Sequence, residues 1–357
     1  MPSQFVSDLM MNRRSALQNA LALGVGATGL MSTPQLAAAG NGKLDYADPA
    51  DNLYAFGKLW AGFEDPVIGA FHGLMYARFG NQRMVPVFGY TGTGVMLCKF
   101  DENGDLWLKS RETGYFTDLK SGDILETWHN PFTDKTVEVY HFYNDVMIGK
   151  IGKEIPKFLM GGADDLPTLM NEGTVFPDEH GNYPFILPWQ CYGDDMMLSW
   201  DYTHEYTNPV TPQGWPRSST GTRISPSEHF TFNFSRQELE DRDIPTSRFT
   251  AGFTRLSQFW PFMEMGGTPY AEGTLFGRMF SHKGLQGFAD VPPKLLAYME
   301  KHTPESLTLP DHWNPGNSRV DTWKAYAKDV PPENPDYEWQ PDNQAVPTGK
   351  GAKKKVT

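Results

Sequence analysis

Residues 95–111 read Val-Met-Leu-Cys-Lys-Phe-Asp-Glu-Asn-Gly-Asp-Leu-Trp-Leu-Lys-Ser-Arg and carry the clearest strand signal in the chain. Two largely apolar segments, Val95–Phe100 and Leu106–Arg111, flank the polar segment Asp101–Asp105. Gly104 can adopt the positive φ that a tight hairpin loop requires. The pattern therefore predicts two antiparallel strands joined by a short loop.

Strand signals continue towards the C-terminus. Residues 114–119 and 124–129 flank loop 120–123 and predict a second hairpin, and residues 136–143 predict another strand after a turn at 130–135. Consecutive hairpins are typical of an antiparallel meander, which packs on a second sheet or closes into a barrel. We expect a mainly β fold, in which an antiparallel meander closes into a barrel-like (calycin-like) domain with short flanking helices.

Short helices are predicted near both ends of the chain. Asp48 is a good N-cap, Pro49 suits the first helical position, and apolar residues then recur at spacings of three and four up to Trp60. Helical patterns return over residues 294–301 and 320–327.

The composition limits the classes of partner. Asp and Glu number 43 against 31 Lys and Arg, which gives a formal charge of −12. An acidic surface repels phosphate backbones and anionic lipids, so the sequence predicts no nucleic-acid partner. Aromatic residues make up 13% of the chain and provide ample apolar mass for a core.

The first forty residues have the features of an export signal. Arg13-Arg14 precedes the uncharged, glycine-softened segment Ala20–Met31, and Ala37 and Ala39 fit a small-residue cleavage pattern. The apolar run is too short and too rich in glycine for a stable membrane anchor. Residues 1–39 therefore predict a signal of the twin-arginine type, with the export machinery as a partner and a periplasmic or secreted protein as the product.

The remaining chain divides into two parts. Residues 40–330 predict a single β-rich domain, and the Pro- and Lys-rich residues 331–357 predict a disordered tail. Cys98 and Cys191 allow at most one disulfide, with two reduced thiols as the alternative. Neither lies in a Cys-x-x-Cys pair, which argues against iron–sulfur, haem c and Cys-rich zinc sites.

Several sequence blocks together resemble a known family. They are Arg111–Pro131, Val139–Asp145, Trp200–Tyr202 with Asn208-Pro209, and Trp260–Gly266. These blocks resemble the domain of unknown function 1838 family, and the resemblance extends over roughly residues 48–330. It implies a shared fold, and it implies no established activity or catalytic residue.

His141 is the first candidate for chemistry. In the predicted strand it shares a face with Val137 and Val139, which predicts an inward-facing imidazole. Such a group is either a neutral base or hydrogen-bond donor for a ligand, or a core histidine satisfied by a neighbour.

Arg111 and Glu112 are adjacent in a predicted strand, so they point to opposite faces unless a bulge intervenes. Arg111 fits either an exposed face or an anion-binding lumen, and Glu112 is the carboxylate candidate.

Aromatic residues beside polar groups supply the ligand-binding candidates. Trp128 and Asn130 share a face, an arrangement found both in ligand cavities and at barrel rims. Trp200 and Tyr202, in a predicted strand over 196–204, complete this set.

Metal and cofactor motifs are lacking in the sequence. The nine histidines show no metal-binding spacing, and there is no Gly-x-Ser-x-Gly elbow, phosphate-binding loop or dinucleotide fingerprint. The sequence therefore predicts no metal site and no cofactor.

Three hypotheses follow for the function. The first is an exported protein that binds a small apolar or aromatic molecule in a β-barrel cavity. The second is a cofactor-free lyase, isomerase or hydrolase that uses His141 with a carboxylate and Arg111. The third is a non-catalytic partner in an envelope assembly.

Overall fold

A computed structural model describes residues 43–143, 146–154, 183–203, 205–314 and 322–339. The export signal predicted over residues 1–39 lies outside the described residues. The strands are β1 (Val67–Arg78), β2 (Val85–Phe100), β3 (Leu106–Thr117), β4 (Thr127–Asn130), β5 (Lys135–Glu138), β6 (Phe142–Tyr143), β7 (Met147–Ile151), β8 (Gln190–Tyr192), β9 (Asp195–Thr203), β10 (Tyr206–Thr207), β11 (Arg223–Ile224), β12 (Ser227–Ser235), β13 (Phe249–Ser257) and β14 (Thr274–Leu285). The α-helices are α1 (Pro49–Trp60), α2 (Arg236–Glu240), α3 (Pro293–His302) and α4 (Thr322–Asp329), and 3₁₀ turns cover Pro261–Met263, Phe288–Asp290 and Pro304–Leu307.

One antiparallel sheet of ten strands dominates the fold. Its order is β6-β3-β2-β1-β14-β13-β12-β9-β8, and β7 pairs with β3 beside β6. Two small sheets, β4–β5 and β10–β11, lie apart from it. The mainly β, antiparallel prediction is thus confirmed.

The first predicted hairpin is present, and the second is present only next to its loop. β2 and β3 pair from Phe100↔Leu106 onward, and Gly104 closes the loop with φ 78°. At that loop the Thr117↔Ile124 bridge is flanked by hydrogen bonds from the Asp118 N–H to the Asp123 carbonyl and from the Leu125 N–H to the Phe116 carbonyl. The chain leaves the large sheet there because residues 127–130 pair instead with β5.

The prediction of a closed barrel is wrong, because the sheet remains open. Within the described residues no strand pairing joins β7 to β8; an isolated bridge, Glu154↔Pro184, links the segments beside them. Side chains from β3, β9 and α1, including Leu106, Leu198 and Phe56, form one buried cluster. Apolar packing on α1 therefore connects the two ends of the sheet where a barrel would have strand hydrogen bonds.

The sheet is strongly curved. Glu112 on β3 and Glu228 on β12 are five steps apart in the strand order, roughly 24 Å across a flat sheet. Their carboxyl groups nevertheless interact electrostatically. The inner faces of β3 and β12 therefore approach each other.

α1 begins and ends as its sequence predicts. The Asp48 side chain accepts a hydrogen bond from the Ala50 N–H, and Pro49 occupies the first turn. At the other end the buried Lys283 Nζ donates to the carbonyls of Lys58 and Ala61 at 2.9 and 3.0 Å. These bonds fix the helix end to β14.

The C-terminal residues that the structure describes are packed on the domain. The two predicted C-terminal helices correspond to α3 and α4. The sequence predicts a disordered tail from residue 331, but Glu333 accepts hydrogen bonds from Arg217 and Ser218, and Tyr337 packs on Trp215. Aromatic burial therefore holds residues 331–339, and residues 340–357 lie outside the described part.

Cys98 is buried and Cys191 is exposed, and both are free thiols. Among the helices that the structure describes, none is long and apolar enough to cross a membrane.

Candidate functional site

The concave side of the sheet encloses a cavity of about 300 Å³, here called the aromatic cavity. Residues of β1, β2, β3, β12, β13 and β14 line it, together with Trp60 and Trp260. Alternation along β12 places Phe230 and Phe232 on this side. Most of the lining is apolar.

The aromatic side chains form a connected wall. The Phe230 ring lies 4.5 Å from that of Phe253 and 6.1 Å from that of Phe232. On the other side of the cavity the rings of Phe71 and Tyr90 are 5.5 Å apart. These centroid distances are those of favourable aromatic pairs.

Three charged residues form a polar end. Glu228 and Arg255 are directly paired across β12 and β13, and their side chains form a 2.9 Å salt bridge. The Arg255 guanidinium also lies 4.8 Å from the centre of the Trp260 ring. Glu112 approaches from β3 and completes the polar end.

The Glu112 carboxyl has an unusual environment. Its side chain is exposed in the open cavity, and the protein atoms around the cavity partly desolvate the carboxyl. This desolvation, and secondly the Glu228 carboxylate, raises the pKa of Glu112 to about 7, while Arg255 opposes the rise. Burial and the nearby Glu112 charge also raise the pKa of Tyr90. Within the described residues no hydrogen bond satisfies the Glu112 carboxyl.

Glycines on the inner face leave space beside Glu112. Gly94 is the register partner of Glu112, and Gly69 is the register partner of Gly94. A Cβ at Gly94 would have no heavy atom closer than 3.8 Å outside its chain neighbours. At Gly92, by contrast, a Cβ would collide with the Phe71 ring, which lies over that glycine. Gly92 thus leaves room for the Phe71 ring to pack against the strand, and Gly94 keeps the cavity open.

Arg111 and Glu112 lie on opposite faces of β3, as the alternation predicts. Glu112 faces the cavity, whereas Arg111 Nη1 donates to the carbonyls of Glu305 and Thr308 on the other face. Arg111 therefore ties β3 to the segment after α3.

His141 is a buried core residue outside the cavity lining. The predicted strand over 136–143 divides into β5 and β6, and His141 lies between them. Its Nδ1 accepts a 3.1 Å hydrogen bond from the Phe116 N–H, and burial lowers the pKa of His141 to about 4. The geometry matches a core histidine satisfied by a neighbour.

Trp128 and Asn130 also lie outside the cavity lining. The Trp128 ring packs edge-on against Phe88 at 5.3 Å. Asn130 Nδ2 donates to the Met263 carbonyl at 2.6 Å, and its Oδ1 accepts from the Phe132 N–H. Both residues dock the β4–β5 hairpin on the domain.

The two remaining ligand-binding candidates are described through their backbone. Trp200 and Tyr202 lie on β9, in register with Phe230 and Glu228. Their side chains are outside the described part of the structure. The structure thus brings Glu112 to the cavity, and it does not bring Arg111, Trp128, Asn130 and His141 there.

Glu228 and Arg255 are the functional candidates that sequence reasoning missed. From the sequence, Glu228 and His229 are neighbours in a predicted strand and therefore point to opposite faces, which does not single out Glu228. Residues 249–257, which form β13, give no clear strand signal. The sequence did contain a signal, because Phe253 and Arg255 are two residues apart and would share one face of a strand. It places the arginine on the same side as an aromatic residue.

A metal site is not evident in the described part of the chain. No group of three or more His, Cys, Asp or Glu residues there converges closely enough to hold an ion. The polar end therefore offers hydrogen bonding, charge pairing and proton transfer.

Fold and site together define a class of protein: an open, curved antiparallel sheet around an aromatic cavity with one charged end. The chain belongs to the DUF1838 family of proteins of unknown function, whose family model matches residues 64–330. The family resemblance seen in the sequence is thereby confirmed.

Comparison with solved structures gives distant similarities. Rv2717c from M. tuberculosis is 8% identical, with 64% of this chain and 95% of that chain covered and a TM-score of 0.17. A MucB complex with MucA(peri) is 6% identical, with 67% and 94% covered and a TM-score of 0.12. The Pseudomonas aeruginosa MucA/MucB complex is 7% identical, with 76% and 99% covered and a TM-score of 0.11. TM-scores this low support no argument about function, and no curated protein matches the chain.

Proposed function

We propose that this protein binds a small, mainly apolar or aromatic molecule in the aromatic cavity, with a polar group of the ligand at Glu112. The cavity volume of about 300 Å³ is at the lower end of the range for ligand pockets. Apolar walls with a few convergent polar groups are the usual composition of such pockets. Both features support a small ligand.

The observation that carries this proposal is the Glu112 carboxyl, which is exposed inside an otherwise mainly apolar cavity. Within the described residues it accepts no hydrogen bond, and a few such polar groups usually orient the ligand of an apolar pocket. Here the carboxyl faces open space beside Gly94, so a bound molecule has room to supply the missing partner.

Filling the cavity tests the proposal. We expect Gly94→Leu to weaken binding of the fluorescent probe N-phenyl-1-naphthylamine by about tenfold or more, because the new side chain occupies ligand space. Gly252→Leu is the matched control, since Gly252 is also a strand glycine with open space at its Cβ but does not line the cavity. Fluorescence titration of the purified protein measures both affinities.

Two results would contradict binding in the aromatic cavity. One is equal probe affinity in the wild type and Gly94→Leu, with both proteins folded by circular dichroism. The other is an equal loss in Gly94→Leu and Gly252→Leu, which would indicate a general effect of added apolar bulk.

The proposal includes the cellular location of the protein. The Arg13-Arg14 signal supports export to the periplasm or beyond, with the export machinery as a transient partner. The formal charge of −12 supports a small-molecule partner over nucleic acid.

General acid–base catalysis by Glu112 is a second candidate function. The specific observation in its favour is that the pKa of Glu112 is raised to about 7, where a carboxyl both accepts and donates protons efficiently. This candidate keeps the carboxylate of the sequence-based enzyme hypothesis. It does not require His141, which lies outside the cavity lining.

A further inference from the structure

The charges that face the aromatic cavity are unbalanced. Glu112 and Glu228 supply two carboxyl groups, whereas Arg255 is the one Lys or Arg residue in the described lining. Arg255 already pairs with Glu228 at 2.9 Å and stacks on Trp260. Among the described residues, Glu112 is therefore a carboxyl with no cationic partner in direct contact.

We propose that the ligand of the aromatic cavity is an organic amine whose ammonium group pairs with Glu112 while its apolar body packs on the aromatic wall. This inference rests on the proposed function and adds the chemical class of the ligand. An anionic ligand would meet both carboxylates, and the one Lys or Arg in the described lining, Arg255, already pairs with Glu228.

The surrounding rings favour a cation as well. Tyr90 lies on β2, which is next to β3, and Phe71 lies on β1, one strand further on. Phe230 and Phe253 form the opposite wall. An ammonium group near aromatic faces gains electrostatic attraction, which increases when water is excluded. Ammonium groups are commonly recognised by aromatic side chains together with a carboxylate.

Binding of an ammonium group also gives the Glu112 carboxyl a charged partner. The groups that face Glu112 are Tyr90 on β2, Glu228 on β12 and Arg255 on β13, with His282 on β14 also in the lining. Desolvation and Glu228 raise the pKa of Glu112, and a bound cation acts in the opposite direction. We therefore expect amine binding to strengthen between about pH 6 and about pH 8, as Glu112 ionises.

A pair of nearly isosteric ligands tests the inference. 1-Naphthylmethylamine is protonated at about pH 8, and 1-naphthalenemethanol has the same ring system and a neutral hydroxyl. By calorimetric titration of the purified full chain, we expect the amine to bind about tenfold or more tightly than the alcohol. Glu112→Gln should reduce this preference to about twofold or less, with the alcohol affinity little changed.

Glu102→Gln is the matched control for the charge change. Glu102 is exposed in the loop between β2 and β3, so this variant alters the net charge equally without touching the cavity. We expect it to retain the full preference for the amine.

The outcomes separate this inference from the proposed function. Equal affinities for amine and alcohol, both reduced by Gly94→Leu, would overturn the amine inference and leave the binding proposal standing. A preference that persists in Glu112→Gln, or tighter binding of 1-naphthoate than of the amine, would also overturn it. If neither naphthyl compound nor N-phenyl-1-naphthylamine binds, the binding proposal itself fails.

Discussion

Two neighbouring residues show how strongly position decides chemistry in this chain. Arg111 and Glu112 are adjacent in β3, and the pleat turns them to opposite faces. Arg111 meets backbone carbonyls of the C-terminal segment, which stabilises the fold. Glu112 faces an aromatic space, where desolvation raises its pKa to about 7.

A generic proton-transfer reaction tests Glu112 as a base. In 5-nitrobenzisoxazole, a carboxylate removes the ring C–H proton, the C–H electrons complete a nitrile, and the N–O bond breaks to release a coloured phenolate. We expect the rate to rise with pH through about 7 and then level off, because ionisation of Glu112 creates the base. Absorbance of the phenolate measures the rate.

Two variants test whether Glu112 is the base in this proton-transfer reaction. Glu112→Gln should lower kcat/KM by about 10²-fold or more, the usual contribution of a positioned base, while Glu102→Gln leaves it unchanged. An unchanged rate in Glu112→Gln would refute Glu112 as the base. A pH midpoint near 4 would contradict the raised pKa of Glu112.

Among the secondary-structure elements, the β4–β5 hairpin carries Trp128 and Asn130, two of the ligand-binding candidates predicted from the sequence. Trp128 is 8% exposed and packs with Phe88, and Asn130 bonds the Met263 carbonyl. These contacts belong to a packed core, in which each group is already satisfied. The hairpin therefore has a stabilising role.

Truncation of Trp128 tests that role. Trp128→Ala should lower the free energy of unfolding by about 3–5 kcal/mol, because a buried indole leaves a cavity that its surroundings fill only in part. Urea unfolding measures the loss. The affinity for N-phenyl-1-naphthylamine in the folded variant should stay close to that of the wild type, since Trp128 does not line the aromatic cavity.

His129 provides the control on the same hairpin. Its side chain is 61% exposed and contacts Asp134 at 3.4 Å, so His129→Ala should lower the free energy of unfolding by less than about 1 kcal/mol. A small loss in Trp128→Ala with abolished probe binding would instead return Trp128 to the ligand-binding set.

For the whole molecule, the export signal proposed over residues 1–39 has the most direct test. Replacing Arg13-Arg14 with Lys-Lys keeps the charge but removes the guanidinium pair that the twin-arginine receptor recognises. We expect the precursor to accumulate in the cytoplasm. Cell fractionation with immunoblotting of the expressing bacterium measures its distribution.

Two exposed arginines outside the signal give the matched control. Arg78→Lys with Arg83→Lys makes the same chemical change on the domain surface, and export should remain normal. Mature protein in the periplasm at wild-type levels despite the Lys-Lys change would exclude the twin-arginine route.

Local sequence determined a large part of this protein. The N-cap Asp48, the proline that follows it and the apolar spacing up to Trp60 specify α1. The hairpin around Gly104 and the alternation along β12 are equally local. These features could be predicted because helix caps, tight loops and strand pleats depend on residues only a few positions apart.

The tertiary structure alone decided the rest. Glu112 and Glu228 are more than a hundred residues apart in sequence, and they share a cavity because the sheet curves and α1 packs between its ends. Whether that sheet closes into a barrel, and which side chains face its interior, depends on contacts between distant strands and the helix. No local pattern encodes such contacts, since each strand signal fixes the alternation of its own residues but not the strand that it faces.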